Sequence, residues 1–200
     1  MQTELEAKFL EIDPDKLKKL LKENGATLVH AERLMRRKNF DYADRRLYKN
    51  FGWIRVRDEG DKTTLSYKQT VDETLEGTKE LEIIVDDFDK ASDFLLAIGL
   101  VQKSYQETKR ERWDFDGVEV TVDTWPWIPT FVELEGQTEK QLKEIAVKLG
   151  LDWASATHGG VAPVYCRYFD VSSDEVNEWE GITFVSVPDW LETKRRHRIK

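Results

Sequence analysis

The chain has 200 residues, 40% hydrophobic and 35% charged, which fits one globular domain of generous size better than two separate cores. A net charge of -8 argues against nucleic acid or an anionic membrane as partner, where a basic footprint is expected. The single Cys166 excludes an internal disulfide framework, and His30, His158 and His197 have no zinc spacing. No apolar run approaches the roughly 18 to 20 residues of a spanning helix, and the start Met1-Gln2-Thr3-Glu4 has no signal-peptide pattern, so a reducing, cytoplasmic setting is expected.

In chain order, Glu4-Leu5-Glu6-Ala7-Lys8 reads as a strand whose alternation puts Glu4, Glu6 and Lys8 on one face and Leu5, Ala7 and Phe9 on the other. A helix follows, capped by Asp13, opened by Pro14, striped by Leu17, Leu20 and Leu21, and stopped at Gly25. Strands are expected over 53–57, 63–69 and 78–85, then a helix from about Asp87 with Phe88, Ala91, Phe94, Leu95 and Ile98 on one face and Gly99 as its stop. Strands over 102–115 and 118–123 are joined by an Asp116-Gly117 hairpin turn, and another runs over 131–135. A third helix starts with Thr138 and Gln141 in capping-box spacing, buries Leu142, Ile145, Ala146 and Leu149, and stops at Gly150.

Trp125-Pro126-Trp127-Ile128-Pro129 reads as a rigid aromatic turn rather than a base-stacking platform. Trp153, Tyr165 and Tyr168 read as packing residues, and His158-Gly159-Gly160 as a loop without the strand-to-helix context of a phosphate cradle. The basic end, Lys194-Arg195-Arg196-His197-Arg198, is expected to be a solvated tail.

Sorted by parity, one strand face carries Glu4, Glu6, Lys8, Arg55, Arg57, Ser66, Lys68, Glu80, Glu82, Arg110, Arg112, Glu119, Thr121, Asp123, Glu133 and Glu135. The opposite face is apolar, including Ile54, Val56, Leu81, Ile83, Val120 and Leu134, and the three amphipathic helices can cover it. If the sheet curls with the apolar face outward, the charges line its interior. An open sheet, wet on its charged face, is the alternative. Segregation of Glu-rich from Arg/Lys-rich strands favours the closed form.

The ordered set Glu4-x-Glu6-x-Lys8, Phe40-Asp41, Arg55-x-Arg57, Lys68, Glu80-x-Glu82, Lys109-Arg110, Asp123 and Glu133-x-Glu135 resembles the CYTH superfamily, the triphosphate tunnel metalloenzymes that include class IV adenylate cyclases and thiamine triphosphatases. The resemblance spans about residues 1–170 and leaves 171–200 as an extension of unassigned role. It implies an α+β fold: an eight-stranded antiparallel tunnel with a charged interior and helices outside, holding a triphosphate and Mg2+ or Mn2+.

On this resemblance Lys8, Arg55, Arg57, Lys68, Lys109, Arg110 and Arg112 hold substrate, since a guanidinium fork grips two phosphate oxygens and an ammonium adds a compact charge. Glu4, Glu6, Glu80, Glu82, Asp123, Glu133 and Glu135 are the implied metal ligands, hard oxygen donors suited to Mg2+ or Mn2+. Glu4, Glu6, Lys8 and Lys68 are the implied catalytic group. Three departures stand out: Asn39 where the family often has an aromatic, Thr108 at an inward position that is often lysine, with Arg112 expected to compensate, and the Trp-Pro turn at 125–129 where a glycine-ended turn is commoner. The expected activity is hydrolysis of inorganic or organic triphosphate. An adenylate cyclase forming cyclic AMP and pyrophosphate from ATP, and a non-catalytic polyphosphate-binding module, remain alternatives. The expected partner is a triphosphate-containing small molecule.

Overall fold

The computed structural model describes residues 2–70 and 78–196, with side chains for 5–69 and 79–196. Eight strands make up the body: β1 (Gln2–Phe9), β2 (Thr27–Tyr42), β3 (Gly52–Asp58), β4 (Thr63–Thr70), β5 (Thr78–Val85), β6 (Leu100–Phe115), β7 (Val118–Thr124) and β8 (Phe131–Gly136). Helices α1 (Pro14–Glu23), α2 (Phe88–Ala97) and α3 (Glu139–Lys148) lie between strands or follow them. The later chain adds α4 (Ala162–Tyr168), α5 (Ser173–Asn177), the short strand β9 (Gly181–Ile182) and α6 (Asp189–Glu192).

The eight strands are ordered β2-β3-β4-β5-β1-β8-β7-β6, each antiparallel to its neighbours. Pairing of β2 with β6, from Thr27 opposite Asp114 to Tyr42 opposite Leu100, joins the two ends of this order. The expected antiparallel barrel with external helices is therefore the observed architecture. β9 runs parallel to β6 at Tyr105 and Gln106, beyond the stretch that β7 covers.

β2 is the strand that the sequence reading lacks. Its middle, Ala31-Glu32-Arg33-Leu34-Met35-Arg36-Arg37-Lys38, is a run of residues that favour helix by intrinsic propensity. Pairing with β3 on one side and β6 on the other overrides that preference, at the expense of register shifts beyond Leu28, His30 and Asn39.

The helices form as their signals predict. Asp13 Oδ1 accepts from the backbone N–H groups of Asp15 and Lys16, Asp87 from Lys90, and Thr138 from Gln141. Asp116 and Gly117 both have positive φ, 54° and 76°, as a type I′ hairpin requires.

The largest core places Leu17 and Leu21 of α1 and Leu142, Ile145 and Ala146 of α3 against Ala7, Phe9, Val120, Val122, Val132 and Leu134. A smaller core packs Phe88 and Leu95 of α2 on Phe40, Val56 and Leu100. Cover of the outer face is incomplete, contrary to expectation: Leu81 and Ile83 of β5 are 57% and 54% exposed, as are Phe94 of α2 and Ile98, which caps it, at 62% and 55%.

A third core joins Trp125, Ile128 and Phe131 to Ala162, Tyr165, Phe169, Val176, Ile182 and Leu191. Tyr165 donates to the Pro126 carbonyl at 2.8 Å, and the Trp127 indole donates to that of Val185 at 2.9 Å. The aromatic turn is thus a packed element. The basic end is also tied down rather than free in solvent: Arg195 pairs with Glu192 and covers the Phe169 ring, and the Arg196 backbone N–H donates to Tyr168. His197 and Arg198 lie outside the described residues.

Candidate active site

Strand alternation directs one charged row from each strand into the barrel. On one wall, Lys8 Nζ lies 2.8 Å from Glu6 Oε1 and 3.5 Å from Glu133 Oε1. Arg110 grips Asp123 with two hydrogen bonds, Nε to Oδ1 at 2.7 Å and Nη2 to Oδ2 at 2.6 Å, and reaches Glu133 Oε2 at 3.5 Å. Glu133 therefore bridges an ammonium and a guanidinium. Asp123 is 1% exposed and also accepts from Thr121 Oγ1 at 3.1 Å.

On the other wall, Glu80 takes Arg55 Nη2 at 3.1 Å on one oxygen and Lys68 Nζ at 3.0 Å on the other. Glu82 lies 4.0 Å from Arg55 and 3.8 Å from Arg57, while Arg57 Nη2 pairs at 2.5 Å with the buried Glu59. The expected site residues Glu6, Lys8, Arg55, Arg57, Lys68, Glu80, Glu82, Arg110, Asp123, Glu133 and Glu135 thus share one interior. The Glu4 side chain lies outside the described residues.

Two expected substrate ligands are placed differently. Lys109 falls on the outer face, exposed and with its ammonium 5.2 Å from the centre of the Phe184 ring, because its neighbour Arg110 takes the inward position. Arg112 is committed to Glu119 at 2.7 Å, and its side chain is 37% exposed. Thr108 is partnered not by Arg112 but by Arg37 of β2, whose Nη2 donates to Thr108 Oγ1 at 2.7 Å.

Sequence reasoning missed Arg37 because it missed β2. Counting back by twos from Asp41 would have found it: Asn39 and Arg37 lie directly beside Arg55 and Arg57 in the barrel wall. Asp41 has a local task, accepting from the backbone N–H groups of Tyr42, Leu47 and Tyr48 and so fixing the turn out of β2.

The electrostatics separate the two walls. Burial and the nearby Glu133 push the Glu6 carboxyl up to about 7, against the pull of Lys8. Burial also disfavours an ionised Glu133, but Lys8 and Arg110 more than offset this and hold its pKa low. For Lys8, burial works against the ammonium, yet Glu133 and Glu6 raise its pKa. Burial raises Glu135, assisted by Glu119 and Glu133. Arg37 is lowered well below the usual arginine range by burial and by the facing charges of Arg55, Arg57 and Arg110.

Among the described residues no group of three or more His, Cys, Asp and Glu side chains is already arranged to hold a metal ion. The donor chemistry nevertheless fits one. Glu6, Glu133 and Glu135 are crowded, mostly buried carboxylates, and a divalent ion can relieve the repulsion that otherwise makes Glu6 hold a proton.

The CYTH domain model matches residues 2–158, and the chain belongs to the CYTH family. Among solved structures it is similar to a conserved hypothetical protein from Pyrococcus furiosus, with 23% identity, a TM-score of 0.64, and coverage of 77% of this chain and 94% of that one. A "putative adenylate cyclase" from Vibrio parahaemolyticus has 15% identity and a TM-score of 0.72, covering 82% and 98%. A protein from Hippeastrum, described as a "putative adenylyl cyclase" with a dominant triphosphatase activity, has 15% identity and a TM-score of 0.54, covering 80% and 91%. At these identities the likeness is one of fold alone. No curated protein matches the chain. Among the described residues no helix is long and apolar enough to cross a membrane.

Proposed function

We propose that this CYTH protein is a divalent-metal-dependent triphosphatase, cleaving the terminal phosphoanhydride of inorganic or organic triphosphate inside the barrel. The observation carrying this reading is the opposition of the walls: Glu6, Glu133 and Glu135 crowd together beside Lys8 and Arg110, across from Arg55, Arg57 and Lys68. A triphosphate brings about four negative charges, and hydrolysis depends on positioning it and stabilising charge as it moves to the leaving group.

Lys8 and Arg110 hold the terminal phosphoryl group, while Arg55, Arg57 and Lys68 take the two phosphates that depart. The oxygen of water forms a bond to the terminal phosphorus, the bond to the bridging oxygen breaks, its electron pair leaves with the diphosphate, and the proton lost by the water passes to a phosphate oxygen of the products. Glu6, Glu133 and Glu135, with Glu4 on the strength of the family motif, would hold Mg2+ or Mn2+. When bound, such an ion polarises the phosphoryl oxygens and orients water. Asp123 acts through Arg110, fixing its fork against the substrate.

The family relationship leaves the cyclase reading as the competitor, and that reaction needs a surface to recognise adenine. The aromatic turn offers little: Trp125 is covered by Arg37 and Tyr165, and Trp127 packs on Trp179. The test is product analysis with Mg2+ or Mn2+ on tripolyphosphate, thiamine triphosphate and ATP. Orthophosphate release supports the hydrolase. Cyclic AMP with pyrophosphate would replace it by the cyclase, and tight binding without turnover by a polyphosphate-binding module.

A further inference from the structure

Arg37 stands apart from the other interior cations. It is 7% exposed, its guanidinium lies 4.6 Å over the Trp125 ring, and its one hydrogen-bond acceptor among the described residues is the neutral Thr108 hydroxyl. Its in-register neighbours are Arg57 on β3 and Gln106 on β6, so no carboxylate sits beside it in the wall. Asp123, the acid whose charge it feels most, is already gripped by Arg110. A buried guanidinium left in this state is costly unless an anion completes it.

The unfilled hydrogen-bonding capacity around it is concentrated on one side of the barrel. Arg37 Nε, Arg57 Nε, Thr64 Oγ1 and Ser66 Oγ are all buried and have no hydrogen-bond partner among the described residues. Arg37, Arg57 and Thr64 are adjacent in one cross-strand row, and Ser66 lies one inward position away. These are four donors on the inward-facing rows of three adjacent strands. They form a second cationic station, distinct from the carboxylate-rich station of Lys8, Arg110 and Glu133.

We propose that Arg37 is a specificity-determining residue that binds a free phosphate end, so that the barrel prefers inorganic triphosphate to nucleoside triphosphates. The inference rests on the triphosphatase reading of the barrel. One end of the phosphate chain lies at the carboxylate station, where it is cut, and the leaving end lies at Arg37. In inorganic triphosphate that end is an unesterified phosphoryl group of high charge density, suited to two guanidinium forks. In ATP the same place carries an esterified phosphate followed by ribose and purine. The Trp125 ring, the aromatic surface beside this station, is covered by Arg37 itself.

The test is calorimetric titration with tripolyphosphate and with ATP in chelator, where binding proceeds without turnover, on the unaltered protein, Arg37→Gln and Arg37→Lys. The unaltered protein is expected to bind tripolyphosphate about tenfold or more tightly than ATP. Loss of one charge-assisted contact is expected to weaken tripolyphosphate by about ten- to a hundredfold in Arg37→Gln and ATP by less than about threefold. Arg37→Lys keeps the charge without the fork, is the milder change to the barrel, and is expected to fall between. Melting without ligand supplies a readout that a purely structural residue would not give: Arg37→Gln is expected to melt no lower than the unaltered protein, because a poorly compensated buried charge has gone. Equal weakening of both anions, a preserved preference in both variants, or a large drop in melting temperature overturns the role of Arg37 while leaving the triphosphatase reading intact. Failure of the unaltered protein to bind either anion overturns that reading and this inference together.

Discussion

Glu6 should make the metal-free protein less stable as pH rises through neutrality. Its carboxyl is 14% exposed and moved from an ordinary 4.5 to about 7 by burial and by Glu133. A carboxyl with a raised folded-state pKa contributes its full stability below the unfolded value, here about 4.5, and that contribution is lost as pH approaches and passes about 7. At about 1.4 kcal/mol per pH unit, ionised Glu6 costs up to about 3 kcal/mol, an upper figure because Glu133 shares the site. Glu6→Gln keeps a neutral side chain of the same shape and removes the titration. Urea unfolding in chelator, followed from pH 4.5 to 8.5, should give a stability difference between the two proteins that shifts toward the variant as pH rises and flattens above about 7. Added Mg2+ or Mn2+ should recover the lost stability in the unaltered protein only, with one proton released per ion bound near pH 6. Parallel pH profiles for the two proteins would refute the argument.

Other perturbations test the two walls and the core. Asp123→Asn breaks the buried double hydrogen bond to Arg110 and should lower stability by about 3–5 kcal/mol in denaturant titration. Arg57→Ala should weaken tripolyphosphate capture by about tenfold or more while kcat changes less, as steady-state kinetics would record. Lys109→Ala, on the outer face, should leave both parameters within about twofold, surface changes of this kind being small. Ile145→Ala, 2% exposed between α3 and the strands, should cost about 2–5 kcal/mol in the same denaturant assay.

The sequence revealed those parts of the barrel that carry a local signal. Period-two alternation in Glu133-Leu134-Glu135 or Arg55-Val56-Arg57 separates an inward from an outward face without any tertiary information, and Asp13, Asp87 and Thr138 mark helix starts through their own hydrogen bonds. β2 was not legible because its central residues favour helix, and only pairing with segments on both sides makes them extended. With it went Arg37, whose role depends on Thr108, Trp125 and Arg57, all distant in the chain. Lys109 and Arg110 show the reverse difficulty: a family motif names the pair, while alternation admits one of them to the interior. The burial of Phe94 was overestimated because an apolar helical stripe does not disclose how wide the surface beneath it is.

The position of β1 has a further consequence during synthesis. It pairs with β5 on one side and with β8 on the other, so one of its edges waits until residues up to Gly136 have left the ribosome. An unpaired nascent strand is an invitation to intermolecular zippering. Glu6 and Lys8 put opposite charges at two alternate positions of that waiting segment, the kind of interruption that discourages stacking of like strands. The same two side chains can therefore act as gatekeepers against aggregation before the cavity that later encloses them exists.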